Sequence, residues 1–182
     1  RELCRDGHED LAVNAGIIYT PDGQHVVALI AAWFGDIDEA EARLAPIRNF
    51  AAPIADMMGP IPYTTLNELF DGGNPFGLHR YWKSGYFASL NDDLIDRIVR
   101  YATECTSPLS AILLFRVDGA CTRKDPSATA FSLREPLWDF DIIAQWAGPA
   151  GADRHIDWAR RFWSAVEPFS RGVYINHLDS DD

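Results

Sequence analysis

From Tyr81 to the C-terminal end, segments of two hydrophobic periods follow one another in an order that leaves few folds open. YWKSGYFA reads as a strand, NDDLIDRIVRYATEC as a helix opened by Asn91 with Leu94, Ile98 and Tyr101 on one stripe, and LSAILLFRV, residues 109 to 117, as a strand. LWDFDIIAQWA follows as a further strand. GADRHIDWARRFWSAVEPF then forms a helix with Ile156, Phe162, Trp163 and Val166 inward, and GVYINHL closes the chain as a strand. The order is β-α-β-β-α-β, the split βαβ of ferredoxin-like units, which builds an antiparallel β-sheet with helices on one face. The fold class expected is α+β.

The first half fits the same scheme. LAVNAGIIYT and HVVALIAAWF are β-rich runs joined by PDGQ, in which Pro21, Asp22 and Gly23 supply turn chemistry, so residues 11 to 34 read as a hairpin. Asp36 caps a helix through DIDEAEARLAPIRNF, with acids in its first turn and Ala40, Leu44 and Ile47 on one stripe. A shorter helix follows Pro62 through YTTLNELF. DGGNPFGLHR, residues 71 to 80, is a loop by composition, and CTRKDPSATAFSLREP a polar excursion between strands. A second unit of the same kind would be complete if a strand and most of a helix preceded Arg1. RELCRDG resembles the last turn of a helix, and no terminal helix follows the closing strand. The expectation is one domain over residues 1–182, truncated at both ends, from a larger polypeptide.

Size and composition narrow the function. A chain of 182 residues with 47% hydrophobic and 24% charged residues supports one well-buried core. Its net charge of −11 and pI near 4.7 leave no basic footprint, so nucleic acid and anionic membrane surfaces are not expected partners. The longest apolar run, Val26 to Phe34, is about half of what a bilayer-spanning helix needs. Three cysteines, Cys4, Cys105 and Cys121, lack CxxC spacing and fit reduced thiols in a cytoplasmic protein.

A sheet with helices on one face leaves the other free for chemistry. In Trp138 to Ile143, alternation puts Trp138, Phe140 and Ile142 on one side and Asp139 with Asp141 on the other. Two carboxylates facing the same way repel, which raises at least one pKa and suits a general base; the same spacing also describes a solvated acidic face on an edge strand. In the final strand, Tyr174 and Asn176 share a face, with His177 on the opposite one, and both can hydrogen-bond a planar heterocycle or simply serve the strand. Lys83, flanked by aromatics, can take a carboxylate or phosphate or stand exposed. Trp82 and Trp146 can lie at a ligand face or in the core. His8-Glu9-Asp10 lacks the i, i+4 pattern of a helical metal site, and no metal is expected. The phosphate-binding and nucleophile-elbow glycine motifs are absent from the sequence.

Taken in order and separation, FSLREPLWDFDIIAQW, GADRHIDWARRFWSAVEPF and GVYINHLD resemble the C-terminal part of berberine bridge enzyme-like FAD-linked oxidases of the vanillyl-alcohol oxidase-type superfamily. YWKSGYF is similar to that family's lysine- and serine-containing strand, and PIPYTTLNELFD to the segment before it. The resemblance implies the substrate domain of a two-domain flavoprotein, whose sheet roofs an FAD bound mainly by a separate, here absent, FAD-binding domain. It implies removal of a proton to a protein base and a hydride to flavin N5 from an alcohol, sugar or amine-type small molecule, with O2 returning the enzyme to its oxidised state. By position Asp139 becomes the base, Asp141 a substrate-facing residue, Tyr174 and Asn176 cofactor contacts, and Lys83, Trp82 and Arg134 substrate contacts. Leu133 replaces the histidine that precedes Arg134 in the family, and His177 stands where many members have Tyr or Phe. The isolated chain is expected to be inactive and open to homodimerisation. A non-enzymatic ferredoxin-like binding or dimerisation module, or a relative without turnover, has the same pattern.

Overall fold

The computed structural model describes residues 8–178; Cys4 and the expectations for the two chain ends lie outside them. The elements are β1 (Leu11–Tyr19), β2 (His25–Trp33), α1 (Ile37–Arg48), α2 (Tyr63–Asn67), β3 (Leu78–Phe87), α3 (Asp92–Thr103), β4 (Ala111–Val117), β5 (Leu137–Ala147) and α4 (Ala152–Val166). Five strands form one sheet in the order β2-β1-β4-β5-β3. β1 runs antiparallel to β4, and β5 antiparallel to both β4 and β3. This is the α+β architecture that the periodicity indicated.

Two compact units share the chain. One comprises the described residues up to Val13 together with Ile30–Gly77, the other Asn14–Leu29 together with the described residues from Leu78 onward. In the first unit Asp36 caps α1 by accepting from the Asp38 amide at 3.0 Å, and Ile47 is its buried residue. α2 is one short turn after Pro62.

The second unit holds the core and the site. Asn91 caps α3, its Oδ1 accepting from the Leu94 amide at 2.9 Å, and Leu94, Ile98 and Ala102 form the buried stripe. α4 buries His155, Trp158, Ala159, Phe162 and Val166. Phe162 is the hub: its ring lies 5.1 Å from Tyr101, 5.7 Å from Phe140 and 5.9 Å from Trp158. Ile156 and Trp163, expected largely inward, are half-buried at the border of the stripe that runs through Trp158, Phe162 and Val166, and the Trp163 ring lies against Gly85 of β3.

Two expectations are corrected. β3 begins at Leu78, inside the stretch read as loop, because Leu78, His79 and Arg80 find partners in Ala147, Trp146 and Gln145. The closing strand GVYINHL does not form. Phe87 bridges Ser170, the Tyr86 amide donates to Gly172 O at 2.9 Å, and there the pairing stops. Ser170 Oγ bonds back to both ends of Gly172, and Ile175–His177 coil into a 3-10 turn. The β-α-β-β-α order therefore ends without its last strand.

Candidate active site

β5 lies between β4 and β3, so its residues have neighbours on both sides. Register decides what they meet. Asp139 pairs with Tyr86 and Phe115, and Asp141 with Ser84 and Leu113. Trp82, Ser84 and Tyr86 therefore share a face with both carboxylates, and alternation adds Leu113 and Phe115 from β4. Phe87, Phe140, Ile142 and Trp146 line the opposite face, under α3 and α4. Burial separates the faces: Ile112 and Leu114 are sealed on the helix side, while Leu113 and Phe115 are half-buried on the carboxylate side. An edge strand with a solvated acidic face, one of the two readings of the spacing, is ruled out by the central position of β5 and by the 2% exposure of Asp141.

The two carboxylates have different surroundings. Asp141 Oδ1 accepts from Trp82 Nε1 at 2.9 Å. His177 Nδ1 also lies 2.9 Å from that oxygen, off the line of a ring N–H bond, so this contact is electrostatic more than directional. Burial pushes the Asp141 carboxyl up, while the indole N–H and His177 pull the other way. Asp139 Oδ1 is buried with no hydrogen-bond partner. Its carboxyl is pushed up to about 7, first by burial and then by the neighbouring Asp141 charge. Tyr86, 4% exposed, is held well above the ordinary phenol value by burial and by the charges around it.

The 3-10 turn stands against this end of the site. The His177 ring stacks on Trp82 at 4.7 Å, Tyr174 meets His177 edge-on at 4.8 Å, and Asn176 Nδ2 donates to the Tyr174 hydroxyl at 2.7 Å. Asp139, Asp141, Trp82 and Tyr174 are thus assembled around one sheet face, with Asn176 exposed on the turn. Lys83 is not among them. It pairs with Ile142 on the helix-covered face, 5% exposed, its ammonium 5.4 Å from the Tyr81 ring. Trp146 is on that face too, stacked between His79 and His155. Arg134 sits in the excursion before β5, its guanidinium over Phe131 at 4.9 Å and donating to Cys121 O at 3.0 Å, beside an open cleft of about 390 Å³ that Lys124 and Glu135 also line. Phe131 in turn meets Tyr86 edge-on at 6.0 Å, linking that excursion to the carboxylate face.

Sequence reasoning missed Tyr86 and misplaced His177. Tyr86 was legible in principle, since it follows Trp82 and Ser84 at period two. His177 was assigned to the face away from Tyr174 because a strand was assumed where a turn forms.

No protein-family model matches the chain. A berberine bridge enzyme-like protein of Nicotiana tabacum, C-1, is 33% identical over 95 residues, 48% of this chain and 17% of that protein. The solved structure of berberine bridge enzyme-like protein 28 from Arabidopsis thaliana superposes over 94% of this chain and 40% of that one, with TM-score 0.73 and 16% identity. The chain is thus similar in sequence to a berberine bridge enzyme-like protein over about half its length, and it shares the fold of such proteins. An oxidoreductase that catalyses the terminal step of gilvocarcin biosynthesis has the same fold over 96% of this chain and 40% of its own, with TM-score 0.79 and 18% identity. The fold likeness spans most of this chain, the sequence likeness 48% of it, and the chain covers 17% to 40% of the proteins it matches.

Proposed function

We propose that the chain is the substrate-side domain of an FAD-linked oxidoreductase in which Asp139 accepts a proton from an alcohol, sugar or amine-type substrate. The observation that carries this reading is the state of Asp139: a carboxylate on the sheet face opposite α3 and α4, with a buried oxygen lacking a partner and a pKa of about 7. A base of that strength is half ionised at neutral pH, near the optimum for accepting a proton in a transition state. Asp141, already engaged by Trp82, is poorly placed for the same task and serves as fixed charge.

The face also suits a flat cofactor. Leu113 and Phe115 are half-buried on the face opposite α3 and α4, and Asp139 Oδ1 points to unmet hydrogen-bonding capacity on the same side. When bound, FAD supplies the hydride acceptor. Tyr174 and Asn176 are the residues proposed to hold its ring, since the Asn176 amide and Tyr174 hydroxyl present donors and acceptors on the exposed turn. Trp82 and Phe115 offer aromatic surface to the substrate, and Arg134 reaches the same region only through Phe131 and Tyr86. The cofactor's phosphates are assigned to a separate FAD-binding domain.

Expression of the chain together with the polypeptide that precedes it tests the reading. A yellow protein whose flavin bleaches with substrate is expected, with a reduction rate that rises through about pH 7 as Asp139 ionises. Asp139→Asn is expected to slow reduction at least about tenfold and to abolish that limb of the pH profile. Unchanged reduction kinetics would refute the role of Asp139. Absence of flavin would instead favour a binding module without redox chemistry.

A further inference from the structure

Asp141 is the more deeply buried carboxylate and the better supported one. Trp82 Nε1 donates to it, and His177 sits 2.9 Å from the same oxygen while stacking on the same indole. The His177 ring is held in place from a second direction by the edge of Tyr174. The groups facing the carboxylate pair are Trp82, Ser84 and Tyr86 from β3, Leu113 and Phe115 from β4, and His177 from the turn. Of these, His177 alone can carry a positive charge. Arg80, farther along the same face of β3, donates to Gln145 Oε1 at 2.5 Å.

A buried and a half-buried carboxylate on one face compete for a single proton. If their surroundings were equal they would share it, and neither would be a dependable base. The geometry points to His177 as a positioning residue that holds Asp141 as the anion, so that proton exchange at the site falls to Asp139 with a fixed negative charge beside it. The inference deepens the proposed role of Asp139 and rests on it. Burial raises both carboxyls, but the forces opposing that rise act on Asp141 and not on Asp139. His177 acts through Asp141 and needs no contact with substrate.

Carboxyl titration of the chain, labelled with 13C at aspartate Cγ and followed by NMR, tests this without any cofactor. In the wild type Asp139 is expected to titrate near neutrality, after Asp141 has lost its proton. In His177→Gln the Asp141 midpoint is expected to rise by about one unit or more, as loss of the imidazole beside the carboxylate does, and the Asp139 midpoint to fall as its neighbour becomes neutral. His177→Phe keeps a ring on Trp82 but no charge, and the same shifts are expected there. An Asp141 midpoint that stays put in the Gln variant, or wild-type titration in the Phe variant, overturns the inference and leaves His177 a packing residue. If the Gln variant does not fold, the Phe variant decides alone by the same criterion. Failure of the oxidoreductase reading shows elsewhere, in flavin content and reduction kinetics, so the two outcomes are separable.

Discussion

Asp139 keeps its proton more tightly in the folded chain than in the unfolded one, since its pKa rises from 3.8 to about 7. Stability must therefore depend on pH in a definite direction. Below about pH 4 the carboxyl is neutral in both states and costs nothing. Between about 4 and 7 the unfolded chain releases the proton and the folded chain retains it, so stability drains away as pH rises, and above about 7 the loss is complete. Asp139→Asn removes the ionisation while keeping shape. It is expected to leave stability at about pH 4 nearly unchanged and to raise it at pH 8 by about 2 kcal/mol, a figure reduced for the partial exposure of the side chain. Urea denaturation at the two pH values checks this. A gain equal at both, or a loss at pH 8, would mean that the site does not strain Asp139. A residue that costs stability where it is ionised, at a site open on one side, fits retention for chemistry.

β3 and β5 face each other from Leu78↔Ala147 to Phe87↔Trp138, and this ladder aims every candidate residue. Gly85 marks where α4 presses onto it. A Cβ at that position would clash with the edge of the Trp163 ring and lie 2.9 Å from Ser170 Oγ. Gly85→Ala should therefore cost about 1 to 3 kcal/mol through overpacking, seen as a lower urea midpoint with unchanged slope. A neutral result would show that α4 lies farther from the sheet. These same elements explain what sequence reading reached. β5 was legible to the residue because Pro136 and Gly148 bracket an unbroken β-forming run, and α3 because Asn91, Asp92 and Asp93 mark its start. The shared face of Asp139 and Asp141 needed only period two. Register was not legible, and register is what turns Lys83 under the helices while leaving Trp82 and Tyr86 beside the carboxylates. Nor was the turn at Ile175–His177, because GVYINHL has good strand formers, and the Trp82 ring and Asp141 carboxylate that His177 meets in the turn are distant in sequence.

For the whole molecule, order is unevenly distributed along the chain, and the distribution is testable. Between α1 and β3 the regular structure is one five-residue helix and a 3-10 turn. Phe50, Ile54, Met57, Tyr63 and Phe76 are more than half exposed there, with Met57 at 91%. The local restraints on residues 49–58 are surface contacts: Arg48 pairs with Asp56 and Glu41 and donates to Met58 O at 3.2 Å. Exposed ion pairs of this kind contribute little. In Leu78–Val117 and Leu137–Val166, by contrast, backbone groups are largely tied into the ladders and the helices α3 and α4 around Phe140, Phe162 and Trp158, all fully buried. Opening ten or so residues for a protease is cheap where contacts are few and approaches the global unfolding cost where they are many. Brief exposure to chymotrypsin should then cut first after Phe50, Phe70 or Phe76 and leave Leu78–Val117 and Leu137–Val166 uncut, as mass spectrometry of the early fragments would register. Early cuts at the aromatic residues of β3, β5 or α4, with the 50–76 stretch still whole, would show that the sheet carrying Asp139 is not the stable part of the chain and could not hold the two carboxylates in fixed register.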